Sequence, residues 1–225
     1  IVGTDSRIDV VVKDFIAHYV LRQQAINGKV MFVAISRKIA VKLYSKIIEY
    51  RPEWHSDDID KGTIKVIMTS AASDPPEFQP HSTTASQKKL LAKRMKDVED
   101  ELKIVIVCDM WLTGFDVPCL HTMYVDKPMS GHNLMQAIAR VNRVFKDKPG
   151  GLIVDYIGIA DNLRSALAQY TPSNRKTTGI DPQVAIDLML EKYEQIQGIL
   201  HGLDYSSYIS GSASERMACI VSGVD

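Results

Sequence analysis

Two stretches of this chain carry residue types that could do chemistry. In the first, Gln136, Arg140 and Arg143 fall at i, i+4 and i+7, while Leu134, Ile138, Val141 and Phe145 recur at i, i+4, i+7 and i+11. At about 100° per residue the two sets lie roughly 200° apart, so one helix buries an apolar stripe and presents an amide and two guanidinium groups opposite it. Neighbouring guanidinium groups repel unless an anion or carboxylates sit between them, and their planar fork matches phosphate. The alternative is a solvated charged face. The second stretch is Asp109-Met-Trp-Leu-Thr-Gly-Phe-Asp-Val-Pro118. It follows an apolar strand, and ligands of α/β sheets sit beyond the carboxyl ends of strands. Gly114 permits close backbone approach. Asp116 suits a ribose hydroxyl or, equally, an Asx turn.

The elements that must position these groups follow from periodicity. Asp5–Ile26 reads as a helix ended by Asn27-Gly28. Lys29–Ser36 is a continuous apolar strand. A helix with Ala40, Leu43, Tyr44, Ile47 and Ile48 on one face stops at Arg51-Pro52. Ile64–Ser70, Ile104–Cys108, His121–Val125 and Gly151–Tyr156 read as further strands. Residues 71–86, rich in Ser and Pro, read as an exposed loop. A basic helix over Ser86–Asp100 turns Leu91, Met95 and Val98 inward. Its Lys88, Lys89, Lys93, Arg94 and Lys96 read as a solvated face, with DNA phosphates as the functional alternative. Strands apolar on both faces, alternating with amphipathic helices, predict an α/β fold: a mainly parallel sheet covered by helices on both sides. Asn162–Tyr170 reads as helix, 171–180 as a polar linker, and 181–225 as the start of a helical extension opened by Asp181-Pro182.

Composition narrows the classes. The 225 residues are 45% apolar and 24% charged, ordinary for a globular chain and unlike a disordered one. A chain of this length buries roughly 70% of its surface on folding. No apolar run approaches the ~18 residues of a membrane span. Twenty-seven basic residues balance 27 acidic ones, but from Asp181 onward two basic face seven acidic, leaving 25 basic and 20 acidic before it. That modest excess suits a polyanion partner. Cys108, Cys119 and Cys219 form no C-x-x-C pair and read as reduced thiols of a cytoplasmic protein. His121 beside Cys119 reads as packing, since no metal-ligand spacing exists. Asp155 reads as a cap, and Trp111 as core or the wall of a cleft. No strand is followed by G-x-G-x-x-G, which disfavours a dinucleotide oxidoreductase. Beginning at Ile1 without Met, the chain reads as a piece of something longer.

Together the two chemical stretches resemble motifs V and VI of the second RecA-like domain of superfamily 2 helicases and translocases, and Lys29–Ser36 with Arg37 resembles motif IV. Trp111-Leu-Thr-Gly-Phe-Asp-Val-Pro-Cys-Leu-His121, with Lys127-Pro128 and Gly131 to Gly158, resembles the motor (R) subunit of type I restriction endonucleases. The resemblance implies residues 29–170 as a second RecA-like motor domain, preceded by a helical lead-in over 1–28. It implies ATP with Mg²⁺, held mainly by a first motor domain, because neither a G-x-x-x-x-G-K-[ST] loop nor an Asp-Glu-x-His box occurs here. Arg140 and Arg143 then reach the γ-phosphate, Gln136 lies at the nucleotide edge, and Gly114 and Asp116 lie near the ribose. Ser36, Arg37 and Thr69 fall near the DNA backbone. Where many relatives carry a Thr contacting phosphate, this chain has Cys108, and Thr113 is the candidate to supply that hydroxyl. The motif VI glycine is here Ala139. The implied partners are double-stranded DNA, the first motor and nuclease domains of the same parent chain, and modification and specificity subunits, with no membrane. The competing expectation is a non-catalytic RecA-like DNA-binding or subunit-docking module.

Overall fold

The computed structural model describes residues 3–71, 73–112, 114–129, 131–143, 145, 150–159, 189–190, 212, 214, 215 and 217. Thr113, the helix expected over Asn162–Tyr170, the linker, and nearly all of 181–225 lie outside the described residues. The chain divides into two units, residues 1–175 and 176–225. In the second, the Ser212 amide and hydroxyl both donate to Glu215 Oε2 at 2.7 Å, a local cap for the helical residues there.

The first unit runs α1 (Asp5–Ala25), β1 (Lys29–Ala34), α2 (Arg37–Tyr50), β2 (Ile64–Ile67), α3 (Ala85–Lys96), β3 (Ile104–Val107), β4 (Leu120–Asp126), α4 (Gly131–Val141) and β5 (Leu152–Asp155). The five strands form one sheet in the order 2-3-1-4-5, every pair parallel. The expected parallel α/β architecture is therefore present. β1 to β4 are buried on both faces because each face has its own core. Along β1, Val30, Phe32 and Ala34 pack with α1 and α2, while Met31 and Val33 pack with α3, α4 and the segment joining β3 to β4.

That joining segment, Cys108–Cys119, holds the second chemical stretch. It carries the chain from the carboxyl end of β3 to the amino end of β4 without a helix. The Cys119 thiol donates to the Met95 and Lys96 carbonyls of α3, and Val117 and Cys119 are buried in the core beneath. The crossover thus takes the place a helix would occupy between α3 and α4.

The segment 1–28 does more than lead into the sheet. Phe15 sits edge-on to Phe32 and Tyr124, at ring separations of 5.3 and 4.7 Å. Arg7 clamps the fully buried Asp126 at 3.1 and 2.5 Å, and His18 bonds Tyr124 Oη at 2.6 Å.

Residues 71–86 depart from the expected exposed loop. Pro76–His81 is a 3₁₀ helix whose Phe78 is buried. α3 starts earlier than expected, because Thr84 and Gln87 form a capping box: Thr84 Oγ1 accepts from Gln87 N and Gln87 Oε1 from Thr84 N. The helix ends at Lys96 rather than Asp100. Arg94 is not solvated. Only 4% exposed, it donates to Asp100 and to the carbonyls of Ile59, Lys61 and Gly62.

Candidate functional site

α4 buries Leu134, Ala137 and Val141, with Ile138 and Phe145 packed at the margin of the same core. Opposite that stripe Gln136 and Arg140 are half-buried, but α4 ends at Val141, so the exposed Arg143 follows the helix instead of sitting on it as the spacing predicted. Both arginines meet the crossover. Arg140 Nε donates to the Leu112 carbonyl at 2.7 Å and its Nη1 to the Phe115 carbonyl. Arg143 Nη1 donates to Asp116 Oδ2 at 2.8 Å, with both side chains 49% exposed. An ion pair this open contributes only about 0–1 kcal/mol. A carboxylate therefore lies beside one arginine, and nothing buries the pair.

The crossover takes its shape from two left-handed residues. Gly114 has φ +72°, and a Cβ there would meet nothing within 4 Å, so glycine serves the backbone angle rather than a close approach. Trp111 has φ +67°, a conformation costing an L-residue about 1–2 kcal/mol. Its ring stacks on Phe115 at 4.0 Å, which offsets that strain.

The remaining candidates form a second group at the carboxyl edge of the sheet. Ser36 caps α2, its Oγ accepting from Ile39 N at 3.3 Å. Arg37 holds Asp74 through both guanidinium arms at 2.8 Å, donates to the Thr69 carbonyl at 2.8 Å, and lies over the Phe78 ring. The Arg37 hydrogen bond, with one from the Ala71 amide, keeps the Asp74 carboxyl below its ordinary range. At the same edge Lys127 donates to Asp109 and to the Cys108 carbonyl. That bond holds the Asp109 carboxyl low, whereas burial raises the Cys108 thiol.

The structure thus joins Gly114, Asp116, Arg140 and Arg143 in one cluster, and Ser36, Arg37 and Thr69 in another. The expectation that these groups gather at the carboxyl ends of the strands needs correcting. α4 leaves the carboxyl end of β4 and runs back to begin parallel β5, carrying Arg140 and Arg143 away from that edge. Asp74, and the pairing of Lys127 with Asp109, escaped the sequence reading, since neither lies at a helical spacing from its partner. Asp155 accepts from the amides of Ile157, Gly158 and Ile159 in a local turn; the helix it was expected to cap lies outside the described residues. His121 is buried against Arg22 and Thr122.

The chain is similar to known proteins. Residues 75–158 match the family model of type I restriction enzyme subunit R domain 3. Residues 172–225 match that of the C-terminal region of type I restriction enzyme HindI endonuclease subunit-like proteins. The HindI endonuclease subunit of Haemophilus influenzae is 54% identical over 179 residues, 78% of this chain and 17% of that protein. The MjaIXP type I endonuclease subunit of Methanocaldococcus jannaschii is 49% identical over 206 residues, 91% of this chain and 19% of that one. A solved structure of the C-terminal part of the Fun30 ATPase domain aligns with TM-score 0.43 at 14% identity, covering 82% of this chain and 53% of its own. The 225 residues therefore span less than a fifth of these curated relatives, and the chain belongs to the endonuclease (R) subunit family of type I restriction enzymes.

Proposed function

We propose that this chain is the second motor domain of an ATP-dependent, DNA-translocating restriction subunit, working in the cytoplasm. The observation that carries the reading is the joining of Arg140 and Arg143 to one crossover turn. Asp116 occupies on Arg143 the place a phosphate oxygen would take, and solvent reaches both. The residues fit a nucleotide triphosphate in that respect. Bound in the cleft, ATP supplies the transferable γ-phosphoryl group. Arg143 exchanges its carboxylate for phosphate oxygens and stabilises the charge that spreads over them. Arg140, held by two crossover carbonyls, transmits that exchange to the turn carrying Gly114 and Asp116. Gln136 borders the nucleotide, and Gly114 and Asp116 face its ribose. By the resemblance, Mg²⁺ is held mainly by a first motor domain. By this reading the domain does not hydrolyse ATP alone.

On the carboxyl edge, Ser36, Arg37 and Thr69 face the DNA backbone, with Arg37 exchanging Asp74 for a phosphate; Thr113, outside the described residues, takes a DNA-contacting role on the resemblance alone. Contacts of this kind tolerate any sequence, as translocation demands. The first motor and nuclease domains of the parent chain and the modification and specificity subunits complete the set of partners. Arg140→Ala or Arg143→Ala in the full-length subunit abolishes ATP turnover and translocation while subunit assembly persists. Normal turnover in either variant overturns the assignment. A second reading, a non-catalytic RecA-like DNA-binding or docking module, draws on the engagement of Arg140 by protein carbonyls. Its mark would be DNA binding and assembly that survive beside an ATPase indifferent to both substitutions.

A further inference from the structure

Two of the three lysines of α2 are held by carboxylates, unlike those of α3. On α2, Lys42 is paired with Asp5 at 2.8 Å and Lys46 with Glu49 at 2.6 Å. On α3, the ion pairs among the described residues run through buried Arg94, and none reaches Lys88, Lys89, Lys93 or Lys96. Lys89, Lys93 and Lys96 are exposed and fall at i, i+4 and i+7, one stripe along the helix. The stripe is about 10 Å long at 1.5 Å per residue. That length matches about three phosphates of one strand at 3.4 Å each.

The stripe ends at the crossover. Lys96 Nζ lies 5.3 Å above the Phe115 ring, whose other contact is strained Trp111. Its backbone carbonyl also accepts from the Cys119 thiol. A cation–π contact fixes a side chain without neutralising its charge. The line therefore continues from α3 through Lys96 to the turn that also holds Arg140 and Arg143.

We propose that Lys89, Lys93 and Lys96 form a second DNA-backbone track, on the α3 face and separate from the Ser36–Arg37–Thr69 edge. The inference rests on the translocase reading only for the choice of DNA over another polyanion. Its test needs no nucleotide, so its failure leaves the arginine assignment standing, and the converse also holds.

The test is anisotropy of a short labelled duplex of arbitrary sequence, titrated with the 225-residue chain across a sodium chloride series. Each phosphate contact contributes about 0.9 to the slope of log affinity against log salt, so Lys89→Ala/Lys93→Ala/Lys96→Ala should lower it by 2 to 3. The Lys→Arg triple variant keeps the slope. Lys42→Ala/Lys46→Ala, which removes paired charges, also keeps it. Circular dichroism melts check that each variant is folded, and the Arg variant carries the test if the Ala variant is not. An unchanged slope, equal loss in the α2 variant, loss in the Arg variant, no duplex binding by the parent chain, or equal competition by poly-glutamate overturns the proposal.

Discussion

Single side chains here fall into two classes by the strength with which the protein already holds them. Arg94 is held firmly: its guanidinium is buried and its donors are spent on one carboxylate and three carbonyls. Arg94→Ala strips four acceptors of their partner and should cost about 3–5 kcal/mol in urea denaturation, against within about 0.5 kcal/mol for Lys89→Ala on the same helix. Arg143 is held loosely, because its carboxylate partner stands in water. That difference suits one arginine to architecture and the other to exchange. His81 gives a residue-scale prediction on pH. Burial against Tyr44, 4.6 Å away, lowers its imidazole from 6.5 to about 4, with Lys65 and His55 adding repulsion. Between those values the unfolded chain binds a proton that the folded chain refuses. Stability is therefore full above pH 6.5 and falls as pH drops toward 4. His81→Phe should flatten that part of the acid limb in chemical melts at stepped pH. An unchanged limb would place the titration elsewhere.

At the scale of elements, the helix and strand periods were legible because β1 to β4 are covered on both faces and the helices on one. The α4 stripe could be read from spacing alone, but not that the helix stops at Val141 and leaves Arg143 beyond it. Less legible was whatever depends on partners distant in sequence. Arg94 falls at i+3 from Leu91, on the inward stripe, which separates it from Lys93; what the spacing does not show is its partners, the carbonyls of residues 59–62. Asp74 looks like one more polar loop residue until Arg37 arrives from the end of β1. The start of α3 was legible but missed: Thr84-Ala-Ser-Gln87 spells a capping box. Residues 1–28 read as a lead-in because amphipathicity does not tell which sheet a helix will join. Phe15, buried among Phe32, Tyr124 and Tyr19, ties α1 to the core. Phe15→Ala should cost about 3–5 kcal/mol and lower the melting temperature accordingly. A loss below about 1 kcal/mol would mean that α1 docks only loosely.

For the whole molecule, the parallel sheet works as a plate with two chemical margins. The carboxyl edge gathers Arg37, Lys127 and their acids. The α3–α4 face carries the crossover with Arg140 and Arg143. On the proposed motor reading, an event at one margin must become a change at the other, and Cys108–Cys119 spans both: Asp109 binds Lys127 at the edge, and Asp116 binds Arg143 on the face. Releasing Asp116 at one end of so short a segment bears on Asp109 at the other. The excess of basic residues before Asp181 gives this plate the sign a DNA partner requires. The most direct measurement is single-turnover ATP hydrolysis by the full-length subunit carrying Arg143→Ala, beside Arg143→Lys, with nucleotide affinity determined for each. An arginine on the transferring phosphoryl group predicts a rate about 10³-fold or more slower in the Ala variant, incomplete rescue by Lys, and little change in affinity. A hydrolysis rate equal to that of the parent enzyme would contradict the account.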